Sequence, residues 1–159
     1  MDDLPYLATL ATAISCAVVG GVFFAFSSFV MGALGRLPPP QGIAAMQSIN
    51  VVVLNPVFMT ALFGTGLACL VLIVAALASP DTWPQAEVIA GAALYFVGNV
   101  VVTMTGNVPL NNRLAASDPE TAAGADVWSE YLVRWTAWNH VRAATAIAAA
   151  VLLVMALDG

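Results

Sequence analysis

Residues 7–34 contain no charged side chain, and neither do residues 56–78 or 88–105. A helix needs about 20 mostly apolar residues to cross a hydrocarbon core of ~30 Å, with about 17 as the lower limit. In lipid the backbone finds no water partner, so runs of this kind can only be helices. The last apolar run, residues 143–157, is about 15 residues long and too short to cross alone. A fourth span must therefore start earlier, near residue 135, which draws Asn139, His140 and Arg142 into the membrane entrance. The chain thus reads as an all-α membrane protein. We expect a four-transmembrane-helix bundle, one domain over 1–159, with spans at about 7–34, 56–78, 88–105 and 135–157.

Composition agrees. Apolar residues make up 61% and charged residues 8%, against about 25% charge in soluble domains. Short connections use up the rest, so any chemistry sits between the helices or at the membrane surface. A net charge of −5 with four arginines and no lysine lacks the basic footprint that nucleic-acid binding requires. The acids fall outside the spans and read as solvated loop charges. Cys16 and Cys69 lie inside apolar runs, where a free thiol packs as a small hydrophobe. Asp2 and Asp3 stand where a cleavable signal would be basic, and the apolar run after them is longer than a signal's.

Ala17, Gly21 and Ala25 in the first span form a small-residue stripe of the kind that lets backbones approach, and it suits a homo-oligomer as well as an internal contact. Phe23, Phe24, Phe26 and Phe29 follow, either lipid-facing or forming an aromatic wall for a flat ligand. Arg36 and Pro38–Pro40 end that helix. Residues 42–54, with Gln47, Ser48 and Asn50, read as a short helix at the interface. Asn55–Pro56 reads as an N-cap followed by proline at the first helical position. Trp83, between two prolines, suits the interfacial aromatic belt. Residues 106–127 read as a solvated loop. Outside the spans, arginine lies only in the 1–2 and 3–4 connections, as Arg36, Arg113 and Arg134. The positive-inside rule then places 35–55 and 106–134 in the cytoplasm and both termini outside a cell membrane crossed several times.

The start of the fourth span carries the strongest site pattern. At 100° per residue, Trp128, Tyr131, Trp135, Trp138, Asn139 and Arg142 fall within about 100° of one another. His140 lies about 160° from Arg142 on the same wheel. Arg142 is either a snorkelling cation with Trp belt anchors beside it or a functional intramembrane charge. His140, the single histidine, is either a structural donor or a general base or ligand. A second polar cluster, Asn107, Asn111, Asn112 and Arg113, meets Arg36, Gln47, Asn50 and Asn55 on the same side of the membrane. Its amides suit a carbonyl or phenol, or else unfinished helix ends.

One histidine cannot build a two-His-one-carboxylate iron site, and no Gly-rich nucleotide loop follows a strand. No cofactor or metal is therefore expected. Haem with His140 as one axial ligand is the alternative.

Four segments together resemble a known family: GVFFAFSSFVMGAL (21–34), RLPPPQGIAAMQSINVVVLNPVFM (36–59), NVPLNNRLA (107–115) and W-x-x-Y-x-x-x-W-x-x-WNHVR (128–142). In this order they are similar to the DUF1772, or anthrone oxygenase-like, family. The resemblance implies a four-helix membrane protein. It also implies, from fungal members, oxidation of anthrones to anthraquinones with O₂ and no recognised cofactor motif. Carried over by motif match, it directs attention to Asn107, Leu110, Asn111, Trp135, Asn139, His140 and Arg142. Such a reaction needs a base, donors for an oxyanion and an apolar slot. Candidates for the chemistry are His140, Arg142, Asn107 and Asn111. Phe24, Phe26, Asn50, Asn55, Trp135, Trp138 and Asn139 are candidates to hold a hydrophobic aromatic molecule. Competing readings are a non-enzymatic binder or carrier of a hydrophobic ligand, and an assembly partner.

Overall fold

The computed structural model describes residues 3–158, and no strand occurs among them. Four helices are long and apolar enough to cross a membrane: α1 (Leu4–Leu34), α3 (Pro56–Ala78), α4 (Gln85–Ala115) and α5 (Ala122–Met155). A shorter helix, α2 (Pro39–Val52), joins the first two. The proline run that ends α1 also begins α2, because proline is tolerated in a first turn, where its missing N–H would find no partner. Asn55 caps α3 as expected: its Oδ1 accepts from the Phe58 N–H at 3.0 Å, with Pro56 at the first position.

Two boundaries differ from the sequence expectation. α4 does not stop near residue 105 but continues to Ala115. Pro109 falls within the expected loop, yet it sits at the start of the α-helical stretch after a widened turn, where a lost N–H costs least. α5 begins at Ala122 rather than near 135, capped by the Thr121 hydroxyl, which accepts from the Gly124 N–H at 3.0 Å. Its 34 residues span about 51 Å at 1.5 Å each. It therefore outruns the ~30 Å hydrocarbon core, and most of the expected 106–127 loop is helix.

α5 packs along α1 on one side and α4 on the other, while α3 lies against α4 and more lightly against α1. A single apolar core draws on all four long helices, through Cys16, Val19, Leu62, Cys69, Leu72, Val88, Tyr95, Ala146 and Leu153. The small-residue stripe does not make these contacts. Ala17 and Gly21 face outward, and nothing lies within 4 Å of where a Gly21 Cβ would stand. Gly20 makes the close approach instead: a Cβ there would stand 3.2 Å from the Ala146 Cβ. A second apolar cluster closes one end of the molecule: Ile43 and Met46 of α2 pack with Leu110, Leu114, Trp128, Tyr131 and Trp135. Gly42 lets α2 settle there, since a side chain at that position would come within 2.9 Å of the Trp128 ring.

Three long helices are not uniform. α1 widens to a π turn at Phe26–Val30, α3 at Thr60–Gly64, and α4 at Phe96–Val101 and again at Thr103–Asn107. Such turns are rare, and where they occur they often flank functional sites.

Candidate functional site

The widened turns surround a cavity of about 220 Å³ between α1, α2, α3, α4 and α5. Phe26, Leu62, Phe63, Thr103, Met104 and Asn107 all come from π turns and all line it. By comparison, an apolar cavity of ~150 Å³ takes up benzene, so this one has room for more than a single ring. Its walls are largely apolar, and its polar groups gather at one place.

That place is Arg142. Only 5% exposed, it lines the cavity from α5. Nη1 donates to the Thr103 hydroxyl at 3.2 Å and Nη2 to Asn139 Oδ1 at 2.8 Å. The guanidinium lies 4.1 Å from the Phe23 ring centroid and 5.1 Å from that of Trp135, distances at which a ring face attracts a cation. Asn139 is itself held from behind: its Nδ2 donates to the Phe23 carbonyl and to the Ser27 hydroxyl, both at 2.7 Å. Buried charges are usually paired. Among the described residues the ion pairs are Arg113–Glu130 and Arg134–Glu130, both at 2.6 Å, and they sit at the exposed end of α4 and α5. Arg142 has no carboxylate, and its Nε–H finds no acceptor.

Asn107, 1% exposed, lines the same cavity. Its Nδ2 donates to the Trp135 carbonyl at 3.3 Å, and its Oδ1 is unpartnered. Two residues that line the cavity thus each carry a buried polar atom without a protein partner. An unsatisfied buried polar group costs about 1–3 kcal/mol. Arg142 itself is a cation on an apolar wall, which suits a ligand that carries an oxygen acceptor, best if negatively charged.

The remaining amides form a rigid wall. Asn111 Oδ1 accepts from the Tyr131 hydroxyl and from Trp135 Nε1, each at 2.8 Å. Asn50 Nδ2 donates to the same hydroxyl at 3.4 Å. The rings of Trp128, Tyr131 and Trp135 stack in series, with centroids 5.7 Å and 5.9 Å apart, and Phe26 leans on Trp135 at 5.7 Å.

The structure brings together Arg142, Asn107, Asn111, Asn50, Phe26 and Trp135 around the cavity, with Asn139 directly behind Arg142. Four other candidates lie elsewhere. His140 is exposed on the outer face of α5, as its angle from Arg142 required, so it is not positioned as a base for this cavity. Phe24 is 56% exposed and faces outward. Trp138 is also exposed and covers Gly106 from outside. Asn55 is occupied in capping, its Nδ2 donating to the Val52 carbonyl at 2.9 Å. Phe23, Thr103 and Tyr131 were missing from the sequence expectation as site residues. Phe23 shares a face with Cys16 and Val19, which was the available signal. Thr103 is four residues before Asn107, a spacing that puts the two on one helix face. Tyr131 had been placed on the aromatic stripe without a role. Leu110 packs in the end cluster rather than on the cavity. Among the described residues no three His, Cys, Asp or Glu side chains lie close enough to share a metal ion.

Fold and site together define a helical membrane protein with an apolar cavity backed by an unpaired cation. A family model described as anthrone oxygenase matches residues 56–152, which hold α3, α4 and the part of α5 that carries Arg142. The chain belongs to the anthrone oxygenase family. No curated protein and no solved structure matches it.

Proposed function

We propose that the protein is a membrane oxidoreductase that oxidises a lipophilic, anthrone-like aromatic with O₂, without a bound cofactor. One observation carries this reading: Arg142 is buried on the wall of an apolar cavity with no counter-anion. An anthrone loses a proton from the methylene that faces its carbonyl across the central ring, and conjugation through the aryl rings makes the anion an electron-rich enolate. A cation held at the oxygen favours that anion, and one preorganised oxyanion donor contributes about 2.7–4 kcal/mol. The carbanion carbon then passes one electron to O₂. The two radicals combine to a peroxide, which takes up a proton on its outer oxygen. Loss of the remaining C–H proton with cleavage of the O–O bond releases water and leaves a carbonyl. One oxygen atom is thus in the product and one in water.

No His, Asp or Glu is among the described residues lining the cavity. The protein's task in this scheme is therefore to hold the anion, with water receiving the first proton. The same observation favours a second reading, a binder or carrier of a lipophilic anion that performs no oxidation. For the topology, we propose a cell membrane with both termini outside, since Arg36, Arg113 and Arg134 lie in or beside the two connections that would face the cytoplasm.

The test is oxygen uptake by the protein in nanodiscs with a hydroxyanthrone, corrected for empty nanodiscs. The wild-type protein should consume O₂, and Arg142→Met should lose about 100- to 1,000-fold in rate. His140→Ala should stay near the wild-type rate. A wild-type rate equal to that of empty nanodiscs, with the anthraquinone still bound, would leave the carrier reading in place.

A further inference from the structure

The residues lining the cavity differ sharply in exposure. Arg142, Asn107 and Thr103 at its polar back are buried, whereas Met104 is 53% and Phe63 39% exposed. Met104 and Phe63 therefore touch the cavity and the outside at once. They belong to neighbouring helices, and each sits in a π turn, Thr60–Gly64 of α3 and Thr103–Asn107 of α4. α3 and α4 are close above this level. A Cβ at Gly66 would meet Val100 at 2.6 Å, and the Tyr95 hydroxyl donates to the Leu62 carbonyl at 3.2 Å. Towards the start of α3, Phe58 turns the other way and sets its ring edge-on to Phe23 of α1, centroids 6.2 Å apart. That contact borders the α1 side of the cavity, where Val22 is 36% exposed, and on the α4 side the side chains of Phe63 and Met104 bound it. Both are apolar, and methionine is flexible enough to yield to a passing molecule.

We propose that the ligand enters and leaves sideways from the bilayer, through a portal between α3 and α4 that is lined by Phe63 and Met104. These two residues then set which molecules pass, by width and flatness, without seating the ligand. The inference rests on the cavity being a ligand seat, and not on the ligand being oxidised. An apolar mouth with a charged back suits a molecule that dissolves in lipid and arrives with its oxygen leading.

The experiment follows the exchange of 1-hydroxyanthraquinone between nanodisc lipid and the full-length protein by stopped-flow fluorescence. Narrowing the portal with Met104→Trp or Phe63→Trp should slow entry and exit together, severalfold each, with equilibrium occupancy unchanged. Met104→Ala should speed both, which keeps the test alive if a tryptophan variant fails to fold. Val18→Trp, on the outer face of α1 and away from the cavity, should leave both rates unchanged. The portal is overturned if the narrowing variants exchange at the wild-type rate, if Val18→Trp alone slows exchange, or if the wild-type protein takes up no probe from the bilayer. Uptake without oxygen consumption would sink the oxidation and leave the portal standing.

Discussion

Asn139 shows how one amide supports the chemistry of another residue. It binds α1 through the Phe23 carbonyl and Ser27 hydroxyl and holds Arg142 Nη2 from the opposite side. Asn139→Ala removes all three bonds and leaves the guanidinium with a single side-chain acceptor, Thr103. Intramembrane side-chain bonds are worth about 0.6 kcal/mol on average, up to about 1.7. We expect a loss of about 1–2 kcal/mol in unfolding from mild detergent. Ligand affinity should fall as well, because Arg142 is free to swing. A variant that melts earlier but binds normally would show that Asn139 only ties helices together. Arg142 and His140 were already separable in the sequence. α5 carries no π turn, so a wheel of 100° per residue stayed in phase along it. It gathered Trp128, Tyr131, Trp135, Asn139 and Arg142 on the buried face and put His140 outside. The same wheel also drew in Trp138, which lies at the edge of that face and turned out to be exposed.

At the scale of the element, a misplaced loop boundary explains most of what the sequence concealed. Phe24 and Phe26 stand about 200° apart on a wheel of 100° per residue, so Phe26 lines the cavity while Phe24 faces outward. In α4, Thr103, Asn107 and Asn111 follow at four-residue spacing and fall within about 80° on the same wheel. Reading 106–127 as a loop hid that they share a wall. The small-residue stripe misled for another reason: Gly20 and Gly21 are adjacent, and spacing alone did not say which one meets a partner. The structure makes the choice testable. Gly20→Leu should cost about 1–3 kcal/mol by overpacking, while Gly21→Leu should leave the melting temperature unchanged. Equal shifts for the two variants would mean that α1 docks on a different face. A similar argument holds for α2. Gly42→Val should push the helix off Trp128, which would appear as faster hydrogen exchange or proteolysis across residues 35–55 with the long helices intact.

At the scale of the whole molecule, the number of long helices, the interfacial α2 and the capped start of α3 were all legible, because they follow from chain length, apolar runs and the Asn55–Pro56 pair. The extended α4 and α5 were not, since their polar ends carry no membrane signal and are held by packing, through the end cluster and the Glu130 ion pairs. If ligand is collected from lipid, the rate depends on its concentration in the bilayer rather than in the buffer. Adding lipid at fixed protein and fixed total substrate should then lower the rate through surface dilution. A rate that follows the aqueous concentration alone would argue for entry from water.

The unpaired guanidinium also bears on how long each molecule lasts. A buried charge without a partner weakens the fold that contains it, and an anionic ligand that binds only the folded state relieves that weakness by mass action. Differences of about 1–2 kcal/mol in stability change the amount of protein a cell retains. The abundance of this protein should therefore track the supply of its ligand. In a pulse-chase experiment, added ligand should lengthen the half-life of the wild-type chain, whereas Arg142→Met, with no charge to satisfy, should persist equally well with or without it. On this view the same arginine that recognises the ligand also reports to the cell's quality control whether any ligand is present.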